Sequence, residues 1–117
     1  MTPNIKRLSM ALSMFVVLAT VYHQSFNGRP TSSGTTYDHW NGMTCASNVY
    51  PFGTQLIVHY KGKSAYVTVN DRLAKYIKDG RVDLSGKAMQ TLTGSWKPIT
   101  INVEVEVFYR PDSLKKK

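Results

Sequence analysis

The clearest pattern in the chain is an unbroken alternation from Ile99 to Phe108. Ile99, Ile101, Val103, Val105 and Val107 fall on one side, and Thr100, Asn102, Glu104 and Glu106 on the other. A period of two with one apolar face predicts a strand that buries that face. Two shorter runs rich in β-branched and aromatic residues, Gln55 to Tyr60 and Ser64 to Asn70, are joined by Lys61-Gly62-Lys63. The glycine supplies the positive φ that a tight connection needs, so the pair reads as a hairpin. One helix is predicted after the N-terminal segment, from Ser85 to Leu92. Ser85 is its N-cap, Ala88, Met89 and Leu92 face inward, and Gly94 stops it. Several short strands with a single short helix imply a mainly β fold, a small closed barrel in which no strand edge is left unpaired.

The N-terminus has a different pattern. Lys6 and Arg7 precede Leu8 to Ala19, a run of apolar and small residues without a charge. A basic start followed by a short apolar stretch is the layout of a secretory signal. The run is too short to span a bilayer core, which takes about 20 helical residues. Val17 and Ala19 suit the positions three and one before a cleavage site. The expected organisation is therefore a signal peptide or short tether over 1–19, a barrel domain over 20–110 and a basic tail over 111–117. Export to the periplasm or cell envelope follows. Two alternatives stand beside it, a buried first strand or helix of the domain and an uncleaved membrane tether.

Charge changes the picture less than its total suggests. The 117 residues carry 15 Lys and Arg against 7 Asp and Glu, a net of +8. From Pro30 to Leu114, however, nine basic residues face seven acidic ones, and the final three residues are all lysine. A basic stripe of the kind that binds nucleic acid is missing from the barrel region, so no nucleic-acid partner is expected. A chain of this length makes one domain, expected to be a monomer.

Common catalytic signatures fail here. His23, His39 and His59 have no metal-ligand spacing and no acidic cluster around them, so neither a metal nor another cofactor is predicted. Cys45 and Ser47 lie in no nucleophile motif, and Cys45, between Thr44 and Ala46, reads as a packing thiol.

Several blocks, in order, carry a family resemblance. They are Phe26 to Asp38 (FNGRPTSSGTTYD), Met43-Thr44-Cys45-Ala46, Pro51-Phe52-Gly53-Thr54, Val67 to Arg72 (VTVNDR) and Gly80 to Ser85 (GRVDLS). From about Ala19 to Val107 the chain resembles the rare lipoprotein A family. The resemblance implies a six-stranded double-psi β-barrel, related in fold to expansins and barwin. It also implies lytic transglycosylase action on peptidoglycan glycan strands stripped of stem peptides. In that reaction one carboxylic acid can protonate the glycosidic oxygen and then take the proton of the muramic C6 hydroxyl, so the paired carboxylates of ordinary glycoside hydrolysis are not obligatory.

Asp71, in V-N-D-R, matches the family's catalytic aspartate, and its carboxyl is expected to be raised in pKa by a partly apolar setting. The competing reading makes Asp71 and Arg72 a structural pair at a strand end. Arg72, Tyr37, Asp38 and Asp83 match positions implied to bind substrate. Asp83 alternatively satisfies backbone N–H groups at the start of the helix. Two departures stand out: Thr35 replaces the family's usual glutamate, and Ser47 its usual histidine. Leu73 and Ala74 replace the glycine and proline that usually follow N-D-R. Trp40, Trp96, Tyr50 and Tyr76 are candidates for sugar stacking or for the core. The readings that follow are a peptidoglycan-directed transglycosylase with Asp71 as single acid and base, a non-catalytic expansin-like wall-binding module, and a secreted barrel that binds a protein partner.

Overall fold

A computed structural model describes residues 14–111. Its core is a closed six-stranded barrel. The strands are β1 (Phe15–Val21), β2 (Thr44–Ala46), β3 (Gln55–Tyr60), β4 (Lys63–Asp71), β5 (Val82–Leu84) and β6 (Ile101–Tyr109), with an α-helix, α1 (Gly86–Thr93), between the last two and a short 3-10 turn (Gln24–Phe26) after the first. Around the barrel the order is β1-β5-β2-β4-β3-β6. β1 with β5 and β2 with β4 are parallel pairs, and the other four pairings are antiparallel.

The alternating strand forms as its pattern dictates. Ile101, Val103 and Val105 are buried between β1 and β3, while Asn102 and Glu104 face solvent. Ile99 lies outside the strand and is exposed, because only residues 101 onward find ladder partners. The hairpin of β3 and β4 closes through Lys61 and Gly62, at φ 47° and 81°. Two successive positive-φ residues match the right-handed twist of the strands they join. In α1 the Ser85 hydroxyl accepts from the Ala88 amide at 3.2 Å, and Gly94 ends the helix in the left-handed conformation. Ala88, Met89 and Leu92 pack into the barrel interior with Leu56, Val58, Val67, Val69, Val82 and Leu84. Cys45 is in the same cluster, and burial pushes its thiol up to about 12, as suits a packing residue.

The N-terminal boundary needs correction. β1 begins at Phe15, and five registered pairs, from Phe15 with Val105 to Ala19 with Ile101, tie it to β6. A boundary after Ala19 therefore runs through the first strand, and the barrel domain starts at Phe15 rather than at residue 20. The end of the apolar run, Phe15 to Ala19, is thus strand, with Ala19 buried and Phe15 and Val16 exposed. Residues 1–13 of the expected signal, and the tail from 112 to 117, lie outside the described residues.

Candidate functional site

The short strands set one row of side chains. Thr20 on β1 is in register with Asp83 on β5, and Asp83 with Ala46 on β2. Their chain neighbours Ala19, Val21, Val82, Leu84 and Cys45 pack in or against the interior, so alternation turns this row away from it. On the far side of Ala46 comes Asp71, the last residue of β4. A register shift between Cys45 and Ala46 puts Asp71, not Asn70, opposite Ala46. Such a bulge re-aims the side chain at a strand end. The two aspartates thus flank one alanine, about 10 Å apart along the backbone at two strand spacings.

The excursion between β1 and β2 covers this row. Tyr22 and Tyr37 stack at 4.0 Å between ring centroids. The Tyr22 hydroxyl donates to Asp71 Oδ2 at 2.5 Å, and the amides of Ser32 and Arg72 donate to Oδ1 at 2.9 and 2.8 Å. Asp71 is only 7% exposed, and that burial by itself raises its pKa. The hydrogen bonds from Ser32, Tyr22 and the Arg72 amide outweigh it and hold the carboxyl below the usual range. The expected raised pKa at Asp71 is thus not what the structure has. Asp83 shows the opposite balance. Burial pushes its carboxyl up, and the Thr20 hydroxyl, donating at 2.7 Å, only partly offsets this. Tyr22 is itself pushed up, by burial and by its bond to Asp71, so it stays a donor.

Arg72 makes no ion pair with Asp71. Its Nη1 donates to the carbonyls of Ser47 and Tyr50 at 2.9 and 3.0 Å, and the guanidinium lies 3.9 Å from the centre of the Phe52 ring. It pins the loop after β2 to the end of β4. Arg81 is engaged with Asp79 through bonds of 2.7 to 3.1 Å.

Beside Asp71 opens a cleft of about 820 Å3, walled by Ser32, Arg72, Leu73, Lys75, Ile77 and Lys78 among others. Its outer wall is the loop after β4, fixed by Asn48. The Asn48 side chain donates to the carbonyls of Ala74 and Ile77 at 2.9 and 3.1 Å and accepts from the Leu73 amide at 2.9 Å. Asn48 was invisible in sequence, where an asparagine in a loop reads as turn chemistry.

The remaining sequence candidates divide. Thr35 sits near the site: its hydroxyl bonds Thr31 and Ser33 and accepts from Asn70, next to Asp71, at 3.1 Å. Ser47 is fully buried, its amide on the Asp71 carbonyl and its hydroxyl accepting from Val49. Tyr37 is 1% exposed, with its hydroxyl donating to the Tyr22 carbonyl and bonded to His39, so it is a packing residue under the site and not a wall of it. Asp38 accepts from the amides of Trp40 and Asn41 and orders its own turn. Asp83 does not serve the helix start, since Ser85 does that. Tyr50 is buried, whereas Tyr76 is exposed, and Trp40 and Trp96 are half-exposed and pack together at 5.0 Å. Among the described residues no three His, Cys, Asp or Glu side chains cluster as metal ligands do.

Comparison with known proteins follows this geometry. The family whose description is "Lytic transglycolase" matches residues 15–105, from the start of β1 into β6. Over 76 residues, 63% of this chain and 23% of the other, the sequence is 41% identical to a probable endolytic peptidoglycan transglycosylase RlpA of Treponema pallidum. An endolytic peptidoglycan transglycosylase RlpA of Pasteurella multocida is 32% identical over 77 residues, 64% of this chain and 26% of that one. The chain thus matches about a quarter of the length of these relatives. Among solved structures, a Streptomyces papain inhibitor superposes with a TM-score of 0.67 over 82% of this chain and 94% of its own. At 17% identity that likeness shows the fold alone.

Proposed function

This chain belongs to the lytic transglycolase family of RlpA-like double-psi β-barrels, and from that premise we propose that it cleaves bacterial peptidoglycan glycan strands at the cell envelope. The observation that carries the reading is the pair of carboxyls on either side of Ala46, Asp71 held low and Asp83 pushed up, with the Asp71 partners Ser32 and Arg72 in the wall of a cleft large enough for sugar units. Carboxyls driven apart in this way are suited to opposite proton tasks.

Asp83, the more readily protonated, gives its proton to the bridging oxygen as the bond from that oxygen to C1 breaks. Asp71, ionised, takes the proton of the C6 hydroxyl as that oxygen bonds to C1. The product is a 1,6-anhydro sugar, no water is consumed, and each carboxyl ends in the other's starting state until solvent exchanges the protons. A single acid and base at Asp71 would have to hold a proton that three hydrogen bonds oppose, so the structure favours the division of labour.

The test is to incubate the full chain with sacculi freed of stem peptides and measure 1,6-anhydromuramic ends by mass spectrometry. Release by wild type, lost in both Asp71→Asn and Asp83→Asn, is expected. If Asp83→Asn retains release, the single-carboxyl mechanism holds instead. A second reading is favoured by Thr35 and Ser47 standing where the family usually has ionisable groups: a wall-binding module like the expansins. Pelleting with sacculi without any anhydro ends would establish it and sink the enzyme reading.

A further inference from the structure

One histidine takes no part in the site above. His59 lies near the end of β3, in register with Ser64 on β4 and with Glu104 on β6, and Glu106 is one outward position further along β6. Their chain neighbours Val58, Ala65 and Val105 are buried in the barrel, so alternation turns these side chains to its outer face. There the His59 ring joins three strands. Its Nδ1 lies 2.8 Å from the Ser64 hydroxyl oxygen, and its Nε2 lies 2.9 Å from Glu106 Oε1. A carboxylate only accepts, so Glu106 fixes the proton of a neutral ring on Nε2 and leaves the Nδ1 lone pair to accept from Ser64. Ser64 is exposed, while His59 and Glu106 are half-buried. Hydroxyl, base and orienting acid thus stand in the order that activates a serine, with the two ring nitrogens in exchanged places.

The sheet sets this geometry. β3 is paired on both sides, and the turn at Lys61 and Gly62 fixes the register that puts Ser64 opposite His59. A groove of about 510 Å3 lies beside His59, with Val16, Tyr60, Lys61 and Asn102 in its walls, room enough for an acyl group.

We propose that Ser64 is an acyl-accepting site for activated acyl donors, with His59 as its base and Glu106 as the positioning residue. The proposal stands apart from the glycan reading. Ser64 Oγ bonds to the acyl carbon as its proton passes to His59 Nδ1. The bond from the acyl carbon to the leaving oxygen or sulfur then breaks, and the leaving atom takes that proton. A Ser64 ester and a free alcohol or thiol result. Because the amides of β3 are committed to ladders on both sides, they provide no oxyanion hole, which limits the donors to thioesters and aryl esters, whose leaving groups need little help.

The probe is p-nitrophenyl acetate, incubated with the full chain. Absorbance follows p-nitrophenol, and peptide mass mapping locates the acetyl groups, separating Ser64 from lysines that react in the background. Acetylation of Ser64 ahead of every other serine is expected. A general base contributes about 100- to 10,000-fold, so His59→Gln should slow acetylation of Ser64 about a hundredfold on this exposed face. Glu106→Gln should slow it a few-fold, since exposed pairs contribute little. Nitrogen-15 NMR reads the tautomer: the His59 proton is expected on Nε2 in wild type and shared between the two nitrogens in Glu106→Gln. Circular dichroism confirms that each variant is folded. Ser64 left unacetylated while lysines react overturns the proposal, as does an unchanged rate in His59→Gln or Glu106→Gln, or a wild-type proton on Nδ1. Undiminished p-nitrophenol release by Ser64→Ala, with the acetyl group on His59, assigns the attack to the imidazole and also overturns it.

Discussion

Replacing Tyr22 by phenylalanine isolates what holds Asp71 ionised. The variant keeps the ring stacked on Tyr37 at 4.0 Å and removes only the hydroxyl that donates to Asp71 Oδ2 at 2.5 Å. A hydrogen bond to a charged group contributes about 1.5–3 kcal/mol, and each 1.36 kcal/mol is a factor of about ten in proton affinity. Tyr22 is half-buried, so water recovers part of the loss. The expected result is an Asp71 carboxyl that binds its proton about tenfold more tightly than in wild type. Carbon-13 NMR titration of the aspartate side chains, assigned with Asp71→Asn, reads this directly: the Asp71 midpoint moves to higher pH.

Stability follows the same sign. Asp71 is held below its unfolded value, so its contribution is complete above the unfolded-state pKa and fades as pH falls through the native one. In Tyr22→Phe that contribution is smaller and is fully lost at a higher pH, because the native value moves up toward the unfolded one. Asp83, raised by burial, behaves in reverse. Its stabilisation belongs to acid pH and disappears as pH rises through the native value. An Asp71 midpoint that stays put or moves down in Tyr22→Phe refutes the hydrogen-bond explanation.

Three further outcomes are expected. Thr54 is fully buried with a hydroxyl that has no partner among the described residues, so Thr54→Val should stabilise the fold by about 1 kcal/mol, read as a higher denaturant midpoint at unchanged slope; a loss of stability counts against the assignment. A Cβ on Gly86 would lie 2.4 Å from the His39 ring, so Gly86→Ala should cost about 1–3 kcal/mol in urea unfolding, and a neutral result would mean that His39 moves freely. Deleting residues 1–13 should leave a cooperative thermal transition by circular dichroism, whereas deleting 1–19 should abolish it, because the second cut removes five rungs between β1 and β6.

How much of this was legible in the sequence depended on element length. β6 and the β3–β4 hairpin are long enough to show a period of two, and α1 announces itself through Ser85 and Gly94. β2 and β5 have three residues each, too few for any period, yet their register is what sets Asp83 and Asp71 on either side of Ala46. β1 was hidden for another reason. A strand flanked by partners on both sides, preceded by more apolar residues, is continuous with what looks like a signal core. Motif matching singled out Asp71 as a candidate, but could not tell that Tyr37 packs beneath it or that Asp71 would be held low, since both depend on which way Tyr22 and Ser32 approach. Asn48 lay beyond reach because its three partners are 25 to 29 residues away in sequence.

Asn48 also separates two things that most binding loops entangle. Because its side chain grips only main-chain atoms of Leu73, Ala74 and Ile77, the path of the loop is indifferent to the side chains those and neighbouring positions carry. Lys75 and Lys78 can be exchanged for acids, amides or aromatics without asking the backbone to refold. The protein therefore holds a replaceable lip on a fixed frame, so the charge of the cleft can change by a codon or two while the barrel stays as it is.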